Sequence, residues 1–330
     1  MGIDTVGPLG ALLIDKPAGP TSHDVVAFIR RTLKIARAGH TGTLDPLATG
    51  LLVVLVGHAT RLAQFLAADE KEYIADVRLG IATATYDAQS LDNHQLPTPN
   101  SQGTPPGSWE LEAGSLEKIL ARFRGTFLQI PPPFSAKKIA SVPAYEKARK
   151  NQAVDLKPVQ VTVRGLEVID LRPGAAAQGP RDRGLVRLRL VASAGFYVRS
   201  LAHDLGQALG CGAHLEALRR TRAGRFDVAA ALPLDQIEAR GAGAVIPPNA
   251  LLADLPAVTL TAEGARRAGH GNPLGPRHLE NGDSPRFGNG DRSSFNGDCP
   301  RFRVVDPAGT LLAVAERRAD GLLHPLVVLR

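Results

Sequence analysis

Residues 39–50 read GHTGTLDPLATG, with three glycines and one proline around a single carboxylate, Asp45. Pro46 pushes the backbone of Asp45 toward extended conformations. A carboxylate on so constrained a loop can be aimed with little freedom to move, which is what a nucleophile requires. An aspartate before proline also commonly caps a turn, and the local residues fit both readings. Other reactive constellations are missing. The sequence has no G-x-x-x-x-G-K-[ST] phosphate loop, no G-x-S-x-G elbow and no H-E-x-x-H pair among its nine histidines. Ser22, His23 and Asp24 are consecutive and cannot converge as a triad, so Ser22 reads as a helix cap. Cys211 and Cys299 make neither a disulfide framework nor a metal site by themselves, and Cys211 reads as a small buried residue. No metal or cofactor is expected.

The elements that would hold Asp45 have a mixed α and β pattern. Leu9–Ile14 and the unbroken aliphatic run Leu51–Val56 read as strands on either side of the loop. Between them Thr21-Ser22 opens a helix with Val25, Val26, Ile29 and Leu33 on one face. Lys71–Leu79 alternates, placing Tyr73, Ala75, Val77 and Leu79 together. A helix over Ser115–Phe123 ends at Gly125, strands follow at Val159–Leu171 and Leu185–Ala192, and Val198, Leu201, Leu205 and Leu209 mark another helix. From about Pro256 the chain reads as a strand, a short helix, and then strands at 301–305, 311–316 and 323–329. Three polar stretches, 92–110, 172–184 and 269–300, hold too few apolar residues to offset ordering entropy and read as insertions or surface loops.

A length of 330 residues suits about two domains. The 39 Lys+Arg against 32 Asp+Glu leave a net charge of +7, consistent with a polyanionic partner or with a mildly basic solvated surface. Apolar content of 44% excludes wholesale disorder. No apolar run reaches the ~20 residues that span a bilayer, and Leu9–Ile14 lacks the basic flank of a signal peptide. The expected setting is the cytoplasm, without a membrane.

Several segments, in order, resemble the TruB family of tRNA pseudouridine-55 synthases. GHTGTLDPLATGLLVVLVGHATRL resembles the family signature, and LLIDKPAGPTSHDVV at 12–26 its N-terminal motif. KEYIADVRLG at 71–80 resembles its tyrosine strand, and GTFLQIPPPFSAKKIASVPAYEKAR at 125–149 its long connection. SAGFYVRSLAHDLGQALGCGAHLEALRRTRAGRF at 193–226 resembles its arginine motif. The resemblance implies an α+β chain. A pseudouridine synthase catalytic domain over 1–250 would have a long mixed, mainly antiparallel sheet flanked by helices. A small β-rich, PUA-like RNA-binding domain would follow over 251–330.

It also implies roles. Asp45 matches the catalytic nucleophile and Arg199 its partner; an opposite charge within hydrogen-bond reach favours the ionised carboxylate and fixes its direction. Beside a helix start, an arginine is otherwise unfavourably placed unless an anion is near. Tyr73 matches the tyrosine that stacks on a flipped-out uracil, although its period also suits a core strand. Tyr197 and Leu218 match pocket walls, and Leu218 is equally compatible with helix packing. His40 matches a histidine entering the tRNA loop, or it is a loop histidine bonded to backbone. Lys16 and Lys138 are expected to meet phosphates, to brace the loop, or to be solvated. Arg219, Arg220, Arg222 and Arg225 fall within seven residues, with no acid between Glu216 and Arg225. They read as an RNA-backbone footprint, or as a solvated helix end. Two departures from the family pattern bear on loop contacts: Ala84 stands where an acid is usual, although Asp87 is kept, and Ala194 replaces a lysine. The implied partner is the T arm of tRNA, bound by a monomer without a guide RNA. The alternative is a non-catalytic protein that binds and remodels tRNA.

Overall fold

Two aliphatic segments that flank the Asp45 loop form the spine of the protein. In the computed structural model the described residues are 7–67, 69–90, 95–96, 113–134, 138–139, 142–143, 156–174, 182–280 and 301–329. The strands, in chain order, begin with β1 (Gly10–Lys16), β2 (Ala38–His40), β3 (Thr49–Val56) and β4 (Lys71–Leu79). Short pairs β5 (Ala82–Thr83) with β6 (Gln95–Leu96), and β8 (Lys138–Ile139) with β9 (Val142–Pro143), bracket β7 (Gly125–Gln129). Then come β10 (Val159–Pro173), β11 (Gly184–Ala192), β12 (Ala213–Ala223) and β13 (Phe226–Asp227). The C-terminal part adds β14 (Ala257–Thr259), β15 (Arg301–Val305), β16 (Leu311–Arg317) and β17 (Leu323–Val328).

The large sheet runs β1-β3-β12-β4-β11-β10-β7, with β2 and β13 at its sides. Its pairings are antiparallel except β3 with β12, which is parallel, so the sheet is mixed and mainly antiparallel. β1 and β3 are apolar on both faces because each face meets a separate core. Leu12, Ile14, Leu52 and Val54 pack with the helix Ser22–Thr32. Ala11, Leu13, Leu51, Val53 and Leu55 pack with Leu251, Val305, Leu311, Val314 and Val327 of the C-terminal part. That two-sided burial is why these strands read as unbroken aliphatic runs. β4 and β11 bury one face only: Ala75, Val77 and Leu79 lie against Val186, Leu188 and Leu190, while charged residues alternate outward.

Two strands share one edge of β3. β12 pairs with it at Thr49 and Gly50, and β2 at Val54–Val56. The loop 41–48 leaves the sheet in the gap between them. The tight parallel contact needs Gly50, whose φ is +96° and whose missing Cβ would lie 2.3 Å from the Arg220 carbonyl oxygen.

The C-terminal four strands form their own sheet in the order β14-β15-β16-β17, around Phe302, Val304, Ala313 and Leu323. Two of the polar stretches contribute ordered residues at their borders. At the borders of 172–184, β10 and β11 pair as far as Pro173 and Gly184, and residues 175–181 lie outside the described residues. The start of 269–300 contributes to a core, with Leu274 and Leu279 buried, while 281–300 lie outside the described residues. Most of 92–110 also lies outside them. Residue 250, the expected boundary, falls inside the short helix Pro248–Leu251. Among the described residues no helix is long and apolar enough to cross a membrane.

Candidate active site

The 41–48 loop is held by carbonyl after carbonyl. Arg220, projecting from β12 and 3% exposed, donates to Leu51 O at 2.7 Å, Gly42 O at 3.1 Å and Thr43 O at 3.4 Å. Lys16, at the end of β1 and fully buried, donates from Nζ to Ala48 O at 2.8 Å, Pro17 O at 2.8 Å and Pro46 O at 3.3 Å. Burial lowers the Lys16 ammonium to about 8, with Asp45 opposing that fall and Arg220 adding to it. Gly19 N–H donates to Pro46 O and Ala48 N–H to Asp45 O. Ser22 completes the brace: its hydroxyl donates to Leu44 O at 3.0 Å and accepts from Leu44 N–H at 2.8 Å, both bonds buried. The cap of that helix is Thr21, in a capping box with Asp24, and Ser22 is the first helical residue instead of the cap. The neighbouring threonine already satisfies the helix end, which frees the serine for the loop. The main-chain position of Asp45 is thus set from three elements, β1, β12 and the first helix.

Asp45 points to Arg199. The guanidinium Nε lies 2.9 Å from Asp45 Oδ2, and Nη2 donates to Oδ1 at 3.1 Å. Arg199 is 6% exposed and stands in the first turn of the helix Val198–Ala208. Its remaining donors are used: Nη2 to Phe134 O at 2.9 Å, and Nη1 to Thr85 O at 3.2 Å, with Asp87 Oδ2 3.4 Å from the same Nη1. The cation near the positive helix end therefore meets two carboxylates. Asp87 is 1% exposed, and burial pushes its carboxyl above the ordinary range, against the lowering pull of the Thr85 hydroxyl and Arg199. The helix start is fixed by Gln129 at the end of β7, which accepts from Tyr197 N–H at 2.8 Å and donates to Tyr197 O at 3.0 Å.

These groups line a cleft of about 470 Å³, walled by Thr43, Leu44, Asp45, Tyr73, Val159, Gly195, Phe196, Tyr197, Val198, Arg199 and Leu218. That volume lies within the range of small-ligand pockets. Tyr73 reaches the cleft from β4, and Leu218 from β12. The segment carrying Leu218 is a strand, so the alternative of helix packing does not apply. Its register shifts between Leu215 and Ala217, and this bulge turns Leu218 and Arg220 onto the face of Ala75 and Tyr73.

The ten expected site residues therefore divide. Asp45, Arg199, Tyr73, Tyr197 and Leu218 meet in one cleft. Lys16 and Arg220 lie beneath the loop as braces. His40 ends β2 at the loop entrance, outside the cleft lining; its Nδ1 is buried without a hydrogen-bond partner among the described residues, and burial lowers its pKa, favouring the neutral ring. Arg219 is half-exposed and forms a two-point pair with Asp15 at 3.0 and 2.8 Å. The Lys138 side chain lies outside the described residues.

The arginine cluster is also not the uncompensated surface that was expected. Acids distant in sequence answer it: Arg219 pairs with Asp15, Arg222 lies 4.0 Å from Glu72, and Arg225 lies 3.5 Å from Asp254. On the adjoining strands Arg187 pairs with Asp76 and Arg189 with Glu72. Cys211 is half-buried and burial pushes its thiol up, away from reactivity. Gln129 carried no local signal in the sequence, and the signal at Ser22 was that of a helix cap; Asp87 stood out as an acid retained near the departure at Ala84.

A cleft at one loop of a mixed sheet, with a carboxylate aimed by a buried arginine and an aromatic wall, has counterparts among known proteins. Residues 30–198 match the TruB family pseudouridylate synthase N-terminal domain, and residues 199–243 match the tRNA pseudouridylate synthase B C-terminal domain. The fold is that of the pseudouridine synthases. The chain belongs to the TruB family. It is 39% identical over 325 residues to the tRNA pseudouridine synthase B of Solibacter usitatus, covering 97% of this chain and 99% of that one. It is 44% identical over 229 residues to the tRNA pseudouridine synthase B of Aquifex aeolicus, covering 69% and 72%. A chain in the structure of an H/ACA RNP bound to a substrate RNA containing 2′-deoxyuridine superposes with a TM-score of 0.67 at 22% identity, covering 100% of this chain and 88% of that one.

Proposed function

We propose that this chain, a tRNA pseudouridine synthase by family, isomerises the uridine at position 55 in the T arm of tRNA, with Asp45 as the nucleophilic carboxylate. The reaction is redox-neutral. The N1–C1′ bond of the uridine breaks, the base rotates, and a C5–C1′ bond forms; the C5 proton leaves to solvent and N1 takes one up. A stacked loop uridine must first be extruded, at a cost of a few kcal/mol. Stacking on an aromatic face recovers roughly 1–3 kcal/mol of it, and Tyr73 is the ring placed for that in the Asp45 cleft. Tyr197 and Leu218 wall the base, and Arg199 holds the carboxylate in its direction. His40, at the loop entrance and with burial favouring its neutral ring, would stack in the tRNA loop that the flipped base vacates. The C-terminal four-stranded sheet, read as PUA-like, extends the contact with tRNA.

The observation that carries this reading is the Asp45–Arg199 pair, at 2.9 and 3.1 Å, at the floor of a cleft with Tyr73. The test is tritium release from a T-arm transcript labelled at uracil C5. Purified protein alone should release tritium from the position-55 uridine. Asp45→Asn should abolish release and leave tRNA binding within a few-fold. Release that survives in the variant, or that requires a second RNA, overturns the reading.

A further inference from the structure

One aromatic pair lies behind the cleft and belongs to no part of it described so far. Tyr86 and His203 stack with ring centroids 3.8 Å apart and planes 11° from parallel. Tyr86 also has a φ of 64°, in the left-handed region that penalises a side chain. Lys34 shares that conformation, but it follows the C-cap Leu33 of a helix, where such geometry is routine. Tyr86 follows no helix end. A strained residue persists where its surroundings over-determine it, and such residues gather at functional sites.

Its neighbours show what is held. Thr85 O accepts from Arg199 Nη1 at 3.2 Å, and Asp87 Oδ2 lies 3.4 Å from the same nitrogen. The strained residue thus stands between the two groups that anchor one arm of the guanidinium. Its own backbone is tied on both sides, Tyr86 N–H to Thr83 O at 3.2 Å and Leu215 N–H to Tyr86 O at 2.9 Å. Its ring reaches His203, four residues beyond Arg199 on the helix Val198–Ala208. Residues so spaced lie one turn apart on the same face. His203 Nδ1 is buried without a hydrogen-bond partner among the described residues, so the ring face makes the contact. A closed circuit results: Arg199, one helical turn, His203, Tyr86, and back through Thr85 and Asp87 to Arg199.

We infer that Tyr86 and His203 act as a positioning clamp for Arg199, their stack fixing residues 85–87 against the helix so that the guanidinium is held in the orientation that aims Asp45. Neither ring touches substrate. The inference rests on the proposed roles of Asp45 and Arg199. It predicts a loss in turnover, not in RNA affinity, since neither residue lines the cleft.

Single-turnover rates and tRNA dissociation constants for Tyr86→Ala, His203→Ala and the double variant test it. Each single variant should lose about tenfold in rate, with the dissociation constant within twofold of wild type, and the double variant should be no slower than either single. His203→Phe, which restores a flat face, should return the rate to within about threefold. If Tyr86→Ala does not fold, Tyr86→Leu carries the same expectation, because it fills the space without a ring face. Wild-type rates in the folded single variants, a loss confined to the dissociation constant, or multiplicative losses in the double variant overturn the clamp. Asp45→Asn measured alongside separates the two levels. If it is inactive while Tyr86→Leu and His203→Ala turn over normally, the clamp alone fails. If Asp45→Asn is active, the catalytic reading fails and the clamp fails with it.

Discussion

Ser22→Ala should cost both stability and turnover, although Ser22 touches no cleft residue except through the backbone of Leu44. Its hydroxyl makes two buried bonds, at 2.8 and 3.0 Å, to the N–H and C=O of the residue before Asp45. Alanine leaves both groups without that partner, in a site 2% exposed. An unsatisfied buried polar group costs about 1–3 kcal/mol, so two cost roughly 2–4 kcal/mol after partial relaxation. At about 2 °C per kcal/mol for a protein of this size, melting falls by about 4–8 °C. The looser Leu44 lets the Asp45 carboxylate drift from its aimed geometry, and misplacement by ~1 Å can cost about 100-fold in rate. Thr21→Ala supplies the contrast. It removes a cap worth about 1 kcal/mol and leaves the loop bonds intact, so turnover should stay at wild type. Differential scanning fluorimetry paired with single-turnover tritium release reads both effects. A Ser22→Ala protein that melts within 1–2 °C of wild type and turns over normally would refute the brace; so would a Thr21→Ala protein with the larger loss in rate.

Gly50→Ala should destabilise by more than about 3 kcal/mol in urea denaturation, because the new Cβ would sit 2.3 Å from a strand carbonyl at a φ of +96°. A ΔΔG below ~1 kcal/mol would show that β3 and β12 can separate at no great cost. Asp204 supplies a pH signature. Burial raises its carboxyl from 3.8 to about 6, so the folded state holds the proton more tightly than the unfolded state does. Its contribution to stability is complete below the unfolded pKa and is lost as pH rises through about 6. Asp204→Asn should therefore match wild type near pH 4 and exceed it by about 1–2 kcal/mol at pH 7.5, and equal stability at both pH values would contradict the shift. Arg222→Ala should leave the slope of log affinity for tRNA against log salt nearly unchanged, because its guanidinium faces Glu72 and the Gly224 carbonyl. A decrease of about 0.7–0.9 would mean that it neutralises a phosphate.

Much of this arrangement was legible in the sequence, for identifiable reasons. The unbroken aliphatic run at 51–56 announced a strand buried on both faces, and β3 has a core on each side. The three- and four-residue spacing of Val198, Leu201 and Leu205 marked the helix that presents Arg199. What was not legible depended on partners far away in the chain. AHLEALRRTRA places Leu215 and Leu218 three apart, as a helix would; in the fold this spacing is a strand interrupted by a bulge, which pairing with β4 settles. The arginines at 219–225 looked uncompensated because their acids, Asp15, Glu72 and Asp254, are not their sequence neighbours. Lys16 and Arg220 have the composition of surface residues, and only the crowd of loop carbonyls around them shows why they are buried. Ser22 was obscured by its neighbour, since Thr21 and Ser22 could each have capped the helix.

The two-sided burial of β1 also has a consequence for how the chain is made. Ala11 and Leu13 emerge from the ribosome long before Val305, Leu311, Val314 and Val327, which cover the apolar face they share with β3. Such a closure joins residues about 300 positions apart and carries the loop entropy of that separation. Until those residues are made, one side of the spine that supports the Asp45 loop stands open to water and to other nascent chains. The C-terminal sheet therefore completes the core behind the Asp45 loop, and a chain terminated near 250 would expose a greasy strip on the reverse of that loop.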